Sequence, residues 1–382
     1  SSKRLGSKQH FIRTLEQAGQ LDRAIEFLPS DAELSQRKAR GQGMTRPELA
    51  VLLSYSKLVA FSQLLESDIP EDPYLSRELV RYFPEPLQNK YAGFMDNHRL
   101  KREIIATAVT NQTINRMGAT FLLRMVEDTG RSVAEVAKAY TISRETLDAR
   151  ALWAQIDALD GTLPESVQVD ALEVIWKLQR SFVRWLLGRA GPIPAITTAV
   201  ERYQGPFNEI RKASGVLPDS QRPGYLASVQ AWKDKGLPSG LAQQIAELAY
   251  LEPAFNIIEL ALASKLKPVD VSKVHFRLGE ALNLPWIFEQ IDALEVNGRW
   301  HAIARGVLRD ELAAHQRVLA GQVLGMKGGD ATAKLAAWLQ RDDSGLRFTL
   351  AMLAELAEQK TLDYPTVSVA VQRLGQLAAH GR

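Results

Sequence analysis

Between its turn signals the chain repeats apolar residues at helical spacing almost everywhere, and no run of β-branched residues alternates with a period of two. The pattern predicts an all-α protein: a multi-helix bundle arrangement with two helical subdomains and no β-sheet. With 382 residues, a chain of this size buries enough apolar surface to need neither disulfides nor metal for stability.

Cysteine is absent, which excludes disulfides, thiolate zinc sites, iron–sulfur clusters and cysteine nucleophiles, and favours a reducing compartment. A cytoplasmic location is expected. Lys and Arg total 47 against 44 Asp and Glu, a formal charge of +3 that points to no polyanion, so no nucleic-acid partner is expected. The basic start, residues 1–8, runs into Phe11, Ile12, Arg13 and Thr14 without the apolar core of a secretory signal. The most apolar stretch, residues 49–65, is interrupted by Ser54, Ser56, Lys57 and Gln63, and no membrane partner is expected.

Local chemistry places several helix boundaries. Thr45 and Glu48, with Pro47 between them, form a capping box opening a helix that should run to about Glu66. Asp72 before Pro73 predicts a short helix through Arg77, Leu79 and Tyr82, stopped by Pro84. Residues 99–128 carry no proline and one glycine, Gly118, and predict one long helix or two nearly collinear ones, ended by Gly130. Ser132 with Glu135 forms a second capping box. After the turn at 160–164, Ile175, Leu178, Phe182 and Trp185 mark a wide apolar helix face that needs several neighbours. Residues 188–194 and 214–224 are breaks rich in proline and glycine; lesser boundaries fall at 236–240, 297–298, 327–330 and 342–345. No fixed-period repeat is present.

Several motifs imitate known sites and fail on context. Gly41, Gln42 and Gly43 start like a dinucleotide fingerprint, but Arg46 stands where the third glycine belongs and no strand precedes them, so they read as a helix-ending turn. Lys327, Gly328 and Gly329 resemble a carboxylate-holding lysine motif, yet they lie at a helix end before Asp330, a cap for the next helix. Residues 133–153 imitate a helix-turn-helix, with Ser143, Arg144, Thr146 and Leu147 opening a recognition helix. Against that, Thr141 replaces the usual turn glycine, and Glu145 and Asp148 oppose phosphate attraction. The six histidines show no i, i+4 pair suited to zinc. Glu71, Asp72, Asp342 and Asp343 occupy helix starts and turns, where capping explains them.

The most informative polar pattern lies in the long helix. Thr107, Asn111 and Asn115 recur every four residues, and Arg116, Thr120 and Arg124 do the same one position round, giving two adjacent stripes. Asparagine is a poor interior helix former, so such a stripe suits a hydrogen-bonding partner; a solvated face accounts for it equally well.

The runs TRPELAVLLSYSKL at 45–58, SDIPEDPYL at 67–75 and HRLKREIIATAVTNQTINRMGATFLLRMVEDTG at 98–130 resemble the C-terminal part of the very large bacterial NAD-specific glutamate dehydrogenases. LDRAIEFLP at 21–29 extends the resemblance upstream, and the helices to about residue 379 follow it more loosely. The resemblance implies a helical region following the catalytic module of a parent enzyme that converts L-glutamate, NAD and water to 2-oxoglutarate, ammonia and NADH. No position here matches the family's catalytic motifs. Catalytic, cofactor-binding and metal residues are therefore assigned to none in this chain, and NAD belongs to the parent. The implied partners are the parent's catalytic module and further copies in a homo-oligomer, with Thr107, Asn111, Asn115, Arg116, Thr120 and Arg124 as candidate contacts. The expected division is residues 1–9 outside the resemblance, an N-terminal helical subdomain at 10–160 carrying the family-like runs, and a C-terminal helical bundle at 161–382. A DNA-binding regulator acting through residues 143–147 and an independent helical interaction scaffold are the alternatives.

Overall fold

A computed structural model describes residues 5–213, 217–218, 220–296 and 298–380. Among the described residues there are 21 α-helices and no strand. The first nine are α1 (Leu5–Gln17), α2 (Asp31–Ala39), α3 (Arg46–Leu65), α4 (Arg77–Tyr82), α5 (Glu85–Gln88), α6 (Ala92–Asp96), α7 (Lys101–Met117), α8 (Phe121–Thr129) and α9 (Val133–Thr146). Next come α10 (Ala149–Asp157), α11 (Glu165–Leu187), α12 (Ile196–Lys212), α13 (Arg222–Asp234), α14 (Ser239–Leu248) and α15 (Ala254–Ser264). The last are α16 (Pro268–Ala281), α17 (Leu284–Ala293), α18 (Arg299–Leu324), α19 (Ala331–Leu339), α20 (Ser344–Ala357) and α21 (Tyr364–His380).

These helices sort into two compact units, one holding the chain up to Arg144 together with Gln179–Ala199, the other Glu145–Leu178 together with the chain from Val200 onward. In the first unit, α3 begins where its capping box lies: Glu48 N–H donates to Thr45 Oγ1, and Thr45 N–H donates to Glu48 Oε2 at 2.7 Å. Leu52, Ser56, Ala60 and Leu64 of α3 are buried at a four-residue repeat, and Ser56 Oγ donates to the Ala119 carbonyl beyond α7 at 2.8 Å. Val51, Tyr55 and Val59 pack on a cluster that joins Leu52 to Phe11, Ile12, Leu15 and Leu34. By length and composition α3 is apolar enough to cross a membrane, although 22% of its most apolar window is already buried in the protein.

The 99–128 segment is two helices. Gly118 adopts φ +93°, its N–H closes α7 on the Ile114 carbonyl at 2.8 Å, and α8 restarts at Phe121. Gly130, in the left-handed region at φ +70°, ends α8 as expected. Asp72 is a turn cap rather than a helix cap: its carboxylate accepts from the N–H groups of Tyr74 and Leu75, and α4 starts only at Arg77. The box at Ser132 and Glu135 is formed reciprocally and opens α9.

In the second unit, α18 packs against α21, α16, α15, α17 and α19. The core there is built from Leu278, Leu312, Leu319, Trp338, Val371 and Leu374, each buried. Asp330 and Asp343 cap α19 and α20, accepting from Ala333 N–H at 2.8 Å and Leu346 N–H at 3.1 Å. The break at 188–194 is a loop; of the break at 214–224, residues 214–216 and 219 lie outside the described residues, as does Asn297 of the 297–298 boundary.

Candidate functional site

The polar chemistry of the first unit converges on α7. Glu78 from α4 and Arg144 from α9 are 3% and 2% exposed, too dry for unpaired charges. The structure pairs them: Arg144 Nη2 lies 3.5 Å from Glu78 Oε1, and Arg144 Nη1 also donates to the side-chain oxygen of Gln112 on α7. Gln112 in turn donates from its amide nitrogen to Glu78 Oε2. Arg81, one turn along α4, donates to Glu78 Oε1 at 3.1 Å, and buried Tyr140 donates its hydroxyl to the Gln112 carbonyl at 2.9 Å. An amide that bonds both ends of an ion pair fixes the register of α4, α7 and α9 at one point. The cluster ties α4, α7 and α9 together within the unit.

Beside this cluster, Thr107 and Asn111 are half-buried and Asn115 is exposed, all on α7. Neither asparagine side chain bonds to another described residue. The second stripe is not continuous. Arg116 lies in the last turn of α7, the Gly118 break intervenes, Thr120 is the N-terminal cap residue of α8 without a side-chain cap bond, and Arg124 lies on α8. The four-residue repeat that placed these three on one helix face therefore crosses a change of helix, and only Thr107, Asn111 and Asn115 share one.

The imitative motifs take the bland readings. Gly41 sits at φ +70° just past α2 and closes it on Lys38. Lys327, Gly328 and Gly329 form the turn between α18 and α19. The helix-turn-helix geometry is contradicted, because α9 runs unbroken through Thr141 and its would-be recognition residues Ser143, Arg144, Thr146 and Leu147 are all buried. Among the carboxylates, Glu71 pairs with Arg102 and Asp342 with Arg347. No group of His, Asp or Glu among the described residues is placed to hold a metal ion.

The family model described as "Glutamate dehydrogenase, C-terminal" matches residues 41–376. The chain belongs to that family. Its relatives include the NAD-specific glutamate dehydrogenases of Halomonas elongata, 36% identical over 377 residues, and of Pseudomonas aeruginosa, 37% identical over 380 residues. The enzyme of the same name from Mycobacterium tuberculosis is 25% identical over 362 residues. The first two alignments take in 98% of this chain but 23% of the relatives' length.

The family-matched stretch contains both Asn111 and Asn115 and the set Glu78, Gln112 and Arg144, in which Glu78 and Arg144 are buried and Gln112 is half-buried. That set is not singled out by sequence pattern, because Arg144 stands in an apparent recognition helix and Gln112, four residues before Arg116, falls in line with a stripe that suits an outside partner. Its signal is a glutamate and an arginine at positions where the helical period demands burial, Glu78 beside Leu79 and Arg144 between Tyr140 and Leu147.

Proposed function

We propose that this chain is the noncatalytic helical tail of a large cytoplasmic NAD-dependent glutamate dehydrogenase, packing on the catalytic module of its parent and supporting a homo-oligomer. The parent reaction is the oxidation of L-glutamate with NAD and water to 2-oxoglutarate, ammonia and NADH. The observation that carries this reading is the coverage: nearly all of this chain aligns, yet it spans 23% of its relatives' length. The lack of cysteine supports the location.

The direct test is thermal unfolding with and without NAD plus glutamate. At ligand about 100-fold above its dissociation constant, a bound site would add roughly 2.7 kcal/mol and raise the midpoint by several degrees. No shift is expected, and a shift would put a substrate or nucleotide site among these helices.

The bare asparagines supply a second test. Changing Asn111 and Asn115 to alanine removes two poor helix formers from α7, so the chain alone should melt unchanged or higher, by roughly 0.5 kcal/mol per site. In the full-length enzyme the same double variant should loosen docking of the tail, read as a smaller sedimenting species or as easier proteolytic release. Unchanged assembly and activity would remove both residues from the interface.

A further inference from the structure

We propose that the outer face of α3, with the 22–28 turn beside it, is the surface on which the rest of the parent dehydrogenase docks an amphipathic helix carrying an acidic flank. The proposal rests on the reading of this chain as the tail of a longer enzyme and goes beyond it by naming the face.

An apolar stripe on a helix belongs against another element, and α3 carries more such surface than its neighbours cover. Two sides of α3 are covered: Leu52, Ser56, Ala60 and Leu64 are buried, and Val51, Tyr55 and Val59 pack on the cluster around Phe11 and Ile12. The third side carries Ser54, Leu58, Phe61 and Leu65 at spacings of four, three and four, which at about 100° per residue share an arc of roughly 60°. Leu58 is 63% exposed, and Phe61 and Leu65 are half-buried. Alternating steps of three and four form the seam by which one helix receives another.

The neighbouring turn is built to display apolar groups. Phe27 is 90% and Ile25 70% exposed, and Phe27 holds the left-handed backbone at φ +52° that a side chain with a Cβ disfavours. Asp22 Oδ1 accepts from the N–H groups of Ala24 and Ile25, while Arg23 binds Glu16, Asp31 and the Pro29 carbonyl. Tyr55 Oη donates to Glu26 at 2.6 Å, fixing the turn against α3. A braced turn that spends backbone strain to present an isoleucine and a phenylalanine matches the rigid aromatic anchors that dominate interface energy.

The occupant follows from length and charge. The relatives carry most of their chain outside the aligned region, and a segment tethered to the tail meets this face at an effective concentration in the millimolar range. Lys57, next to the seam, has no ion-pair partner among the described residues, so a helix with a carboxylate on that flank is complementary. Antiparallel self-pairing about Leu58 would set Lys57 near the second copy's Lys57, a like-charge contact.

Hydroxyl-radical footprinting with mass spectrometry, applied to this chain alone and to the full-length parent enzyme, tests the proposal. Phe27 and Leu58 should oxidise about tenfold more slowly in the full-length enzyme at every protein concentration, as expected when an anchor is sealed from water. Leu58→Glu should abolish the protection of Phe27 there while leaving the melting temperature of the chain alone unchanged. Equal oxidation of Phe27 and Leu58 in both forms, with other residues of the chain protected, would overturn this face and leave the tail reading standing. If no residue of the chain were protected, the tail reading would fall as well. Protection that grows with concentration in the chain alone would assign the face to a second copy, and protection gained on adding anionic lipid vesicles would assign it to a membrane; either would overturn the proposal.

Discussion

Replacing Arg144 with alanine should destabilise the protein by about 3–5 kcal/mol, the usual cost of removing one partner from a buried ion pair. The reason is Glu78. At 3% exposure its carboxylate would keep Gln112 and the half-exposed Arg81 as partners but lose the only fully buried cation facing it among the described residues. The Arg144 bond to the Gln112 side-chain oxygen would go as well, and with it one fixed point between α7 and α9. Replacing both charges together, Arg144→Met with Glu78→Leu, should recover most of that loss, because similar-sized apolar groups remove the desolvation cost along with the attraction. Urea unfolding of the two single variants and the double variant closes the cycle. A loss below about 1 kcal/mol for Arg144→Ala would mean that water reaches the pair and that the cluster is not a keystone of the unit.

Elements written in local chemistry were legible in the sequence. The boxes at Thr45 with Glu48 and at Ser132 with Glu135 form as their spacing demands, since every partner lies within one helical turn. The Gly118 break was harder to place. One glycine in a helix costs only about 1 kcal/mol, so the sequence leaves open whether the helix continues. The backbone beyond it is held by Ser56, 63 residues earlier, a partner no local window contains. Arg144 shows the same limit from the other side. Its partner Glu78 lies 66 residues away, and without it an arginine after Ser143 looks like a surface residue aimed at phosphate. The seam on α3 was visible only as general apolarity, because periodicity finds a buried side once the others are known to be covered.

His275 should make the protein acid-sensitive well above the carboxylate range. It lies on α16, 3% exposed, with Nδ1 lacking a hydrogen-bond partner, and its carbonyl accepts from Gln316 of α18 at 3.1 Å. Burial pushes its pKa down from 6.5 to about 4. At pH 7 the imidazole is neutral in both the folded and the unfolded chain, so it costs nothing. As pH falls through 6.5 the unfolded chain takes up a proton that the folded chain refuses until about pH 4. The unfolded state therefore binds more protons across that window, and stability declines by roughly 3 kcal/mol between its ends. His275→Leu removes the titrating group and the orphaned Nδ1 while keeping an apolar side chain in the core. Its stability should lose the steep part of the decline between pH 6.5 and 4, keeping the smaller slope of His315, which partial burial also lowers, and the opposing slope of Glu247, which burial raises; carboxylates such as Asp31, which Gln9, Arg13 and Arg23 hold down to about 2, act lower still. Denaturant unfolding of both proteins at a series of pH values reads the difference directly. Parallel curves would show that His275 is protonated in the folded state, which requires an acceptor or a water at the buried Nδ1.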